Sequence, residues 1–443
     1  MLTPQQNERL TRVGPGTPGG ELMRRYWHPI LPEIKLESNP VQKVRILGED
    51  LILYRDREGR LGLVARRCPH RSFDMQFGIP ENEGLRCPYH GWMFDGSGKC
   101  VQQPLEPLAK GFKDKVTIGA YPVQALGGLI WAYLGPAPAP ILPRWSPFVE
   151  PGGIRQIVGS MLNCNWLQVA ENRADLGHAL YLHARLYQYV LERKGLPPKA
   201  SEQWDKHQAA LKRGAHAVYR AIPNEWGFAK EQGESDSDEA WLVNPMVFPC
   251  TVLEGPVSPD TIRRRVSVAV PIDDTTTWHI DCEHLAFPAE AGTPTQTSVP
   301  YTEVPMKDEQ GEFILDYVRA QDLVAWWSQG EIVDRSVEHL GSTDNLVIEF
   351  RKLLDEQIDV VKNGGDPIAI FRDEVSAERP DLRIPEMYKP SVPNESLVSR
   401  LGYGPWMRDY REVLEAGLTR WHPDKALVAE LMERTALLEP VAN

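Results

Sequence analysis

The sequence offers no continuous apolar run of membrane-spanning character. An uncharged stretch at residues 121–143 is broken by Gly127, Gly128, Gly135, Pro136, Pro138, Pro140 and Pro143, which suits a buried strand at 129–134 leading into a linker. Nor is there an excess of positive charge. The formal net charge is −12, with no basic patch or low-complexity tract, and this excludes a nucleic-acid ligand, whose phosphates need a basic surface. Cysteine is scarce: of the six, Cys100, Cys164, Cys250 and Cys282 are scattered without the spacing of a disulfide framework, so a reducing cytoplasm is the expected setting. Residues 1–25 are polar and interrupted by Pro and Gly, unlike a secretory leader. What remains is the composition of a soluble protein, 443 residues with 42% hydrophobic and 25% charged, enough for roughly two or three domains.

The other two cysteines each travel with a histidine. The chain reads C-P-H-R at 68–71 and C-P-Y-H-G-W at 87–92, giving the spacing C-x-H-x16-C-x2-H. Equal numbers of thiolate and imidazole on two short loops suit a [2Fe–2S] cluster with Cys68 and Cys87 on one iron and His70 and His90 on the other. Neutral imidazoles in place of two thiolates leave the cluster less negative and easier to reduce. A structural zinc site is the competing reading of Cys2His2, but zinc fingers keep like ligands paired, whereas each loop here supplies one of each. Pro69 and Pro88 stiffen the loops, Gly91 permits close approach, and Tyr89 and Trp92 are placed to shield a cluster from water.

Around these loops, residues 41–134 read as an all-β region with strands at 44–47, 51–54 and 61–64 and a turn at 56–59. P-A-P-A-P at 136–140 is a stiff linker composition. Beyond it the pattern becomes α+β. A strand at 157–162 leads into a helix at 166–186, and a polar insertion follows at 197–213. An antiparallel hairpin spans 263–272 and 275–283 about Asp273 and Asp274. Leu346, Val347, Phe350, Leu353, Leu354, Ile358 and Val361 define a one-faced helix over 345–361, with Gly341–Thr343 supplying polar capping residues.

The segment 165–183, N-W-L-Q-V-A-E-N-R-A-D-L-G-H-A-L-Y-L-H, is a poor helix. Gly177 alone costs about 1 kcal/mol against Ala, and Glu171 and Asp175 are like charges at i,i+4. Local rules broken together mark places where function outweighs folding. His178 and His183 are the candidate metal ligands, with two hydrogen-bonded interior histidines as the plainer reading. Five residues of ideal helix turn through about 500°, so the rings converge only if a π-turn or a helix end intervenes. Two imidazoles and one carboxylate leave open positions on Fe(II) for dioxygen. Asp344, in G-S-T-D-N-L at 341–346, is the candidate third ligand, although a first-turn carboxylate there also suits the helix dipole. Asp334 and Asp322 compete for the role.

Together these residues resemble the Rieske non-heme iron oxygenases, in the group with a single large subunit that includes phthalate dioxygenase. The likeness takes in P-G-T-P-G-G-E-L-M-R-R-Y-W-H-P at 15–29, the cluster loops, E-N-R-A-D-L-G-H-A-L-Y-L-H, and S-Q-G-E-I-V-D-R-S-V-E-H-L-G-S-T-D at 328–344. The resemblance implies an N-terminal segment (1–37) packing on the catalytic domain, an all-β Rieske domain (38–140), and a helix-grip catalytic domain (141–443) of antiparallel sheet and long helices. It implies mononuclear iron on His178, His183 and Asp344, and a head-to-tail trimer, or a hexamer of two trimers. There Asp175 bridges His178 to a cluster histidine, here His90, of the neighbouring subunit. It further implies an NAD(P)H-dependent flavin/[2Fe–2S] reductase, with or without a separate ferredoxin, as electron donor.

The activity implied is that of a terminal oxygenase acting on a small aromatic carboxylate, by cis-dihydroxylation or by monooxygenation and O-dealkylation. A Rieske-type electron carrier with a non-catalytic docking domain is the alternative. Respiratory Rieske proteins carry an extra disulfide beside the cluster. Arg71 and Trp92 stand in the corresponding neighbourhood here, which implies a comparatively low potential. In phthalate-type enzymes arginines capture the substrate carboxylates, and no matching pair stands out. Lys230, Asn172 and Arg185 are the residues offered for the substrate side, which leaves room for an aryl ether.

Overall fold

Thr3 and Gln6 form a reciprocal capping box at the start of α1 (Pro4–Thr11), with Pro4 at the first helical position. Thr17 caps α2 (Pro18–Met23) by accepting from Gly20 N–H, with Pro18 at its first position. The computed structural model describes residues 1–107, 111–195, 217–234, 240–254, 263–285, 296–316, 318–378, 380, 425, 426 and 429. The polar segment expected at 197–213 lies outside the described residues.

Three small antiparallel sheets make up the cluster-bearing region. One orders β2 (Val41–Ile46), β3 (Glu49–Arg55), β4 (Leu61–Ala65) and β9 (Ala120–Tyr121); a second orders β5 (Ile79–Glu81), β6 (Gly84–Arg86), β7 (Met93–Phe94) and β8 (Cys100–Gln102). In the third, β1 (Trp27–Pro32) pairs with β11 (Leu129–Tyr133), which also pairs with β10 (Val123–Leu126). Ile52, Tyr54, Val64, Met75, Leu85 and Phe94 form a compact core with the two ligand cysteines. Within the N-terminal segment, α1 and α2 lie against the long helix α8 described below. β1 instead joins a strand of the cluster-bearing half, so that segment is shared between the two halves.

The second region is built on one large sheet. Its order is β13 (Ala217–Asn224), β14 (Gly227–Glu234), β15 (Ala240–Val247), β16 (Thr251–Glu254), β17 (Arg263–Pro271), β18 (Thr277–Leu285), β12 (Ile154–Leu162) and β19 (Tyr301–Glu303). Only β19 runs parallel to its neighbour among these pairs. The β17–β18 ladder runs from Arg263↔Leu285 to Pro271↔Thr277, and Asp273 shapes its turn by accepting from Thr275 N–H (3.1 Å).

Short helices α3 (Lys35–Ser38) and α4 (Ser146–Val149) punctuate the chain before the helices that matter for the site. These are α5 (Trp166–Ala174), α6 (Tyr187–Arg193), α7 (Val318–Ser328) and α8 (Asn345–Lys362). α8 buries Leu346, Val347, Phe350, Leu354, Ile358 and Val361 along one face, each such side chain contributing about 1.5–3 kcal/mol of burial. α5 is buried almost all round and packs against β17, α7 and α8. Asn165 caps it through Leu167 N–H (3.0 Å) and donates its amide to Thr11 O and Asp274 O.

The two halves meet at the β17–β18 turn. Leu47 N–H donates to Pro271 O (3.1 Å) and Gly48 N–H to Ile272 O (2.9 Å). Arg45 pairs with Asp273 at 3.0 Å. Among the described residues, no helix is long and apolar enough to cross a membrane.

Candidate metal centres

The two cysteine–histidine loops share one backbone design. In the first, Cys68 N–H donates to Phe73 O and Ser72 N–H returns to Cys68 O (2.9 and 2.8 Å). In the second, Cys87 N–H donates to Trp92 O and Gly91 N–H to Cys87 O (2.8 and 3.0 Å). The residue four past each cysteine takes a positive φ, 57° at Ser72 and 76° at Gly91. Glycine suits the second position doubly, because a Cβ there would stand 2.6 Å from Pro104 Cγ.

These loops bring like ligands together although each carries one of each kind. Cys68 and Cys87 are buried and in side-chain contact, while the His70 and His90 rings lie 4.5 Å apart, centroid to centroid, at the half-exposed end. A thiolate pair facing inward and an imidazole pair facing outward fit a cluster with differently ligated irons. Burial pushes the Cys68 thiol up to about 11, against the backbone N–H groups of His70 and Arg71, which favour the thiolate. Trp92 is buried and stacks on His70 at 4.3 Å. Tyr89 packs on His90 at 4.0 Å but is itself half exposed, so it borders the histidine end without closing it off.

The second centre forms where α5 stops. Asp175 is the C-cap, and its carboxylate accepts from Gly177 N–H (2.7 Å) and His178 N–H (3.1 Å). A 3-10 turn (Gly177–Leu180) and then a π-helical stretch (Tyr181–Leu186) replace the continuous helix expected over 166–186. This π-turn is the irregularity that the five-residue spacing demands, and it brings the His178 and His183 rings to 5.2 Å.

The carboxylate that meets them is Asp322 on α7. Its Oδ1 lies 3.2 Å from His183 Nε2 and 3.8 Å from His178 Nε2. One ligand atom from each of the three falls within 4.8 Å of the others. Asp322 Oδ1 is buried without a hydrogen bond, as expected of an oxygen reserved for a cation. Burial would raise the Asp322 carboxyl, but His183, Arg173 and His178 hold it well below the usual range.

Polar groups stand behind both histidine ligands. Gln321 Nε2 donates to Leu315 O (2.8 Å), turning its Oε1 toward His183 Nδ1 at 3.0 Å. That bond puts the His183 proton on Nδ1 and leaves the Nε2 lone pair for a metal. Burial disfavours charge on His183, yet Asp322 and Gln321 outweigh it and raise its pKa. Asp175 Oδ2 stands 3.3 Å from His178 Nδ1. Burial raises the Asp175 carboxyl, and His178 together with the two backbone donors brings it below the ordinary value.

Among the described residues, the carboxylate that stands beside the two histidines is Asp322 rather than the expected Asp344. Asp344 closes its own 3-10 turn by accepting from Gly341 N–H (2.6 Å). Asp334 likewise binds Ser336 within its own turn. Asp322 was the weaker competitor because it looks like any interior helix residue. The available signal was the polar trio Arg319, Gln321 and Asp322, all buried in a helix that also buries Ala320, Leu323 and Trp326.

Asp344 does line a groove of about 770 Å3 that also takes in Asn172, Asp175, His178, Arg185 and Glu338. Asn172 Oδ1 is buried there without a hydrogen-bond partner, and Arg185 is exposed. Lys230 lies on the sheet instead. It is buried, donates to Arg173 O (2.7 Å), and is lowered by that burial to about 7.

Part of the groove's wall is an ion network that sequence reasoning missed. Glu171, one turn before Asp175, is gripped by Arg335 through two bonds of 2.8 Å and by Arg351 at 2.6 Å. Arg351 continues to Glu338, and Arg335 reaches Asn7 Oδ1 (3.1 Å). Burial would raise the Glu171 carboxyl, but the two guanidiniums bring it below its usual value.

A cluster-type ligand set joined to a two-histidine, one-carboxylate site defines an oxygenase with separate electron-storing and oxygen-activating centres. Comparison with known proteins agrees. Residues 26–113 match the Rieske [2Fe-2S] domain, and residues 304–383 match a domain described as LigXa C-terminal domain like. The chain is 44% identical over 380 residues, 84% of each chain, to the 5,5'-dehydrodivanillate O-demethylase oxygenase subunit of Sphingobium sp. (strain NBRC 103272 / SYK-6). It is 32% identical to the phthalate 4,5-dioxygenase oxygenase subunit of Pseudomonas putida, over 80% of this chain and 85% of the relative. Among solved structures, NdmA of Pseudomonas putida CBB5 with caffeine shares the fold (TM-score 0.54, 18% identity, 80% of this chain and 98% of that one). The chain belongs to the Rieske non-heme iron oxygenases and is a terminal oxygenase component, with a [2Fe–2S] cluster and a mononuclear non-heme iron as cofactors.

Proposed function

We propose that this oxygenase removes the methyl group of a methoxylated aromatic carboxylate. The observation that carries the reading is the 44% identity, across 84% of both chains, to an O-demethylase oxygenase subunit whose named substrate is a divanillate. The phthalate enzyme, also named for a carboxylate, stands further away at 32%. In the overall reaction an aryl methyl ether, O2, two electrons and two protons give a phenol, formaldehyde and water.

Cys68, His70, Cys87 and His90 hold the cluster in this reading, and His178, His183 and Asp322 hold the iron. When bound, the iron supplies O2 activation, using electrons stored at the cluster. The chain's own groups do the rest. Gln321 keeps the His183 proton on Nδ1, and Asp175 orients His178 from the opposite side. Asn172, with its amide oxygen unsatisfied, faces the groove beside them.

A second copy of this chain completes the electron path in the same reading. Its half-exposed His70–His90 end faces the groove at Asp175, in a head-to-tail ring of three or a pair of such rings. Electrons arrive from a flavin/[2Fe–2S] reductase, directly or through a ferredoxin. The test combines purified oxygenase, a surrogate reductase, NADH and a panel of methoxylated and unmethoxylated aromatic acids. Formaldehyde release with loss of one CH2 from the substrate mass is the expected result. Gain of two oxygens and two hydrogens by an unmethoxylated acid, with no formaldehyde from the ethers, would replace demethylation with dihydroxylation.

A further inference from the structure

Because the two ligand loops share a backbone design, a difference between them is informative. The residue before each ligand cysteine is an arginine aimed at the carbonyl four past that cysteine. Arg67 does this weakly, with Nη1 3.5 Å from Ser72 O and a side chain 58% exposed. Arg86 does it tightly, with Nη1 donating to Gly91 O at 2.6 Å from a side chain only 17% exposed. Its remaining edge is filled from two flanking strands. Nε and Nη2 grip both oxygens of Glu81 on β5 (2.6 and 2.7 Å), and Nη2 also meets Gln102 Oε1 on β8 (2.6 Å).

The orientation of this pair matters more than its net charge of zero. Glu81 occupies the Nε–Nη2 edge, so the nitrogen left for the loop is Nη1, and it binds the carbonyl of the residue that follows His90. The positive end of the pair thus faces the ligand loop and the carboxylate faces away. A fixed guanidinium this close to a centre that gains an electron stabilises the more negative state, and neighbouring charge is among the protein's levers on such potentials. Arg67, mostly in water, is screened and contributes little by comparison.

We propose that Arg86, held in place by Glu81, is the positioning residue that sets the potential at which the cluster accepts its electron. This rests on the assignment of Cys68, His70, Cys87 and His90 to the cluster. The full-length protein and its R86Q, E81Q and R86K variants would be titrated at fixed pH against redox mediators, with the cluster read by visible and electron paramagnetic resonance spectra. R86Q leaves Glu81 uncompensated and should lower the potential. E81Q leaves the guanidinium uncompensated and should raise it. Each shift should be about tenfold in the ratio of reduced to oxidised cluster, or about 59 mV for one electron. R86K keeps the charge and should stay close to the unsubstituted protein.

A merely structural brace predicts shifts of one sign, or cluster loss without a shift, in both R86Q and E81Q. Either result overturns the proposal, as does an unmoved potential. If R86Q fails to retain its cluster, E81Q alone decides by its sign. Absence of the Rieske spectrum from the unsubstituted protein would instead remove the ligand assignment itself, an outcome distinct from any of these.

Discussion

The cluster loops and the mononuclear site are built on opposite plans. Each loop is closed by its own backbone: two hydrogen bonds spanning five residues and one positive φ shape it before any distant contact is made. The mononuclear site has no such autonomy. It needs the end of α5, a π-turn, and a carboxylate carried by a helix whose Gln321 stands 138 residues from His183. A site assembled across the fold depends on everything that packs those pieces together, so remote changes reach it more readily than they reach the loops.

Substitutions that remove one plan and spare the other test this contrast. Asp322→Ala should have the largest effect, abolishing mononuclear iron and lowering product formation by roughly 100-fold or more while the cluster spectrum is unchanged; metal analysis beside the visible spectrum checks it. Asp175→Asn should retain both centres yet reduce turnover by roughly 10–100-fold. Single-turnover experiments would show a cluster that reduces normally but reoxidises slowly, and normal reoxidation would free Asp175 from the electron path. Gln321→Ala, which removes the acceptor behind His183, should weaken iron binding about 10-fold, seen as an iron titration displaced to higher concentration with the cluster untouched. The smallest effect belongs to Asp344→Ala. Loss of its turn-closing bond should cost about 1 kcal/mol in a denaturant melt, with iron content unaltered; iron lost from this variant would restore Asp344 as a ligand in place of Asp322.

The same contrast governs what could be read from the sequence. The cluster ligands were legible because proximity in the chain is proximity in space on a tight loop. His178 and His183 stood out because their segment breaks helix rules visibly, and the need for a break between them, by a π-turn or a helix end, followed from rotation per residue alone. The β17–β18 hairpin and α8 followed from alternation and one-faced periodicity. Asp322 was harder, since only its arrival beside two imidazoles distinguishes it from other interior helix residues. Asp344 stood out because a polar G-S-T-D run before a long helix is conspicuous, but the structure shows that run serving the turn. The Arg335–Glu171–Arg351 network was invisible for a similar reason, as its members lie far apart in sequence and nothing local marks them as partners.

The first helix is wired into the ligand helix at several points. Thr11 O receives the amide of Asn165, the residue that caps α5; Asn7 binds Val333 O and Arg335; and Leu2 N–H donates to Arg335 O. Handling of the amino terminus is therefore not neutral for this enzyme. A protease nick, or a bulky affinity tag that unseats α1, would withdraw partners from both Asn165 and the fully buried Arg335. Iron would then leak from a centre whose own ligands were never touched, and a preparation spoiled in this way would look like an inactive enzyme with a perfect cluster.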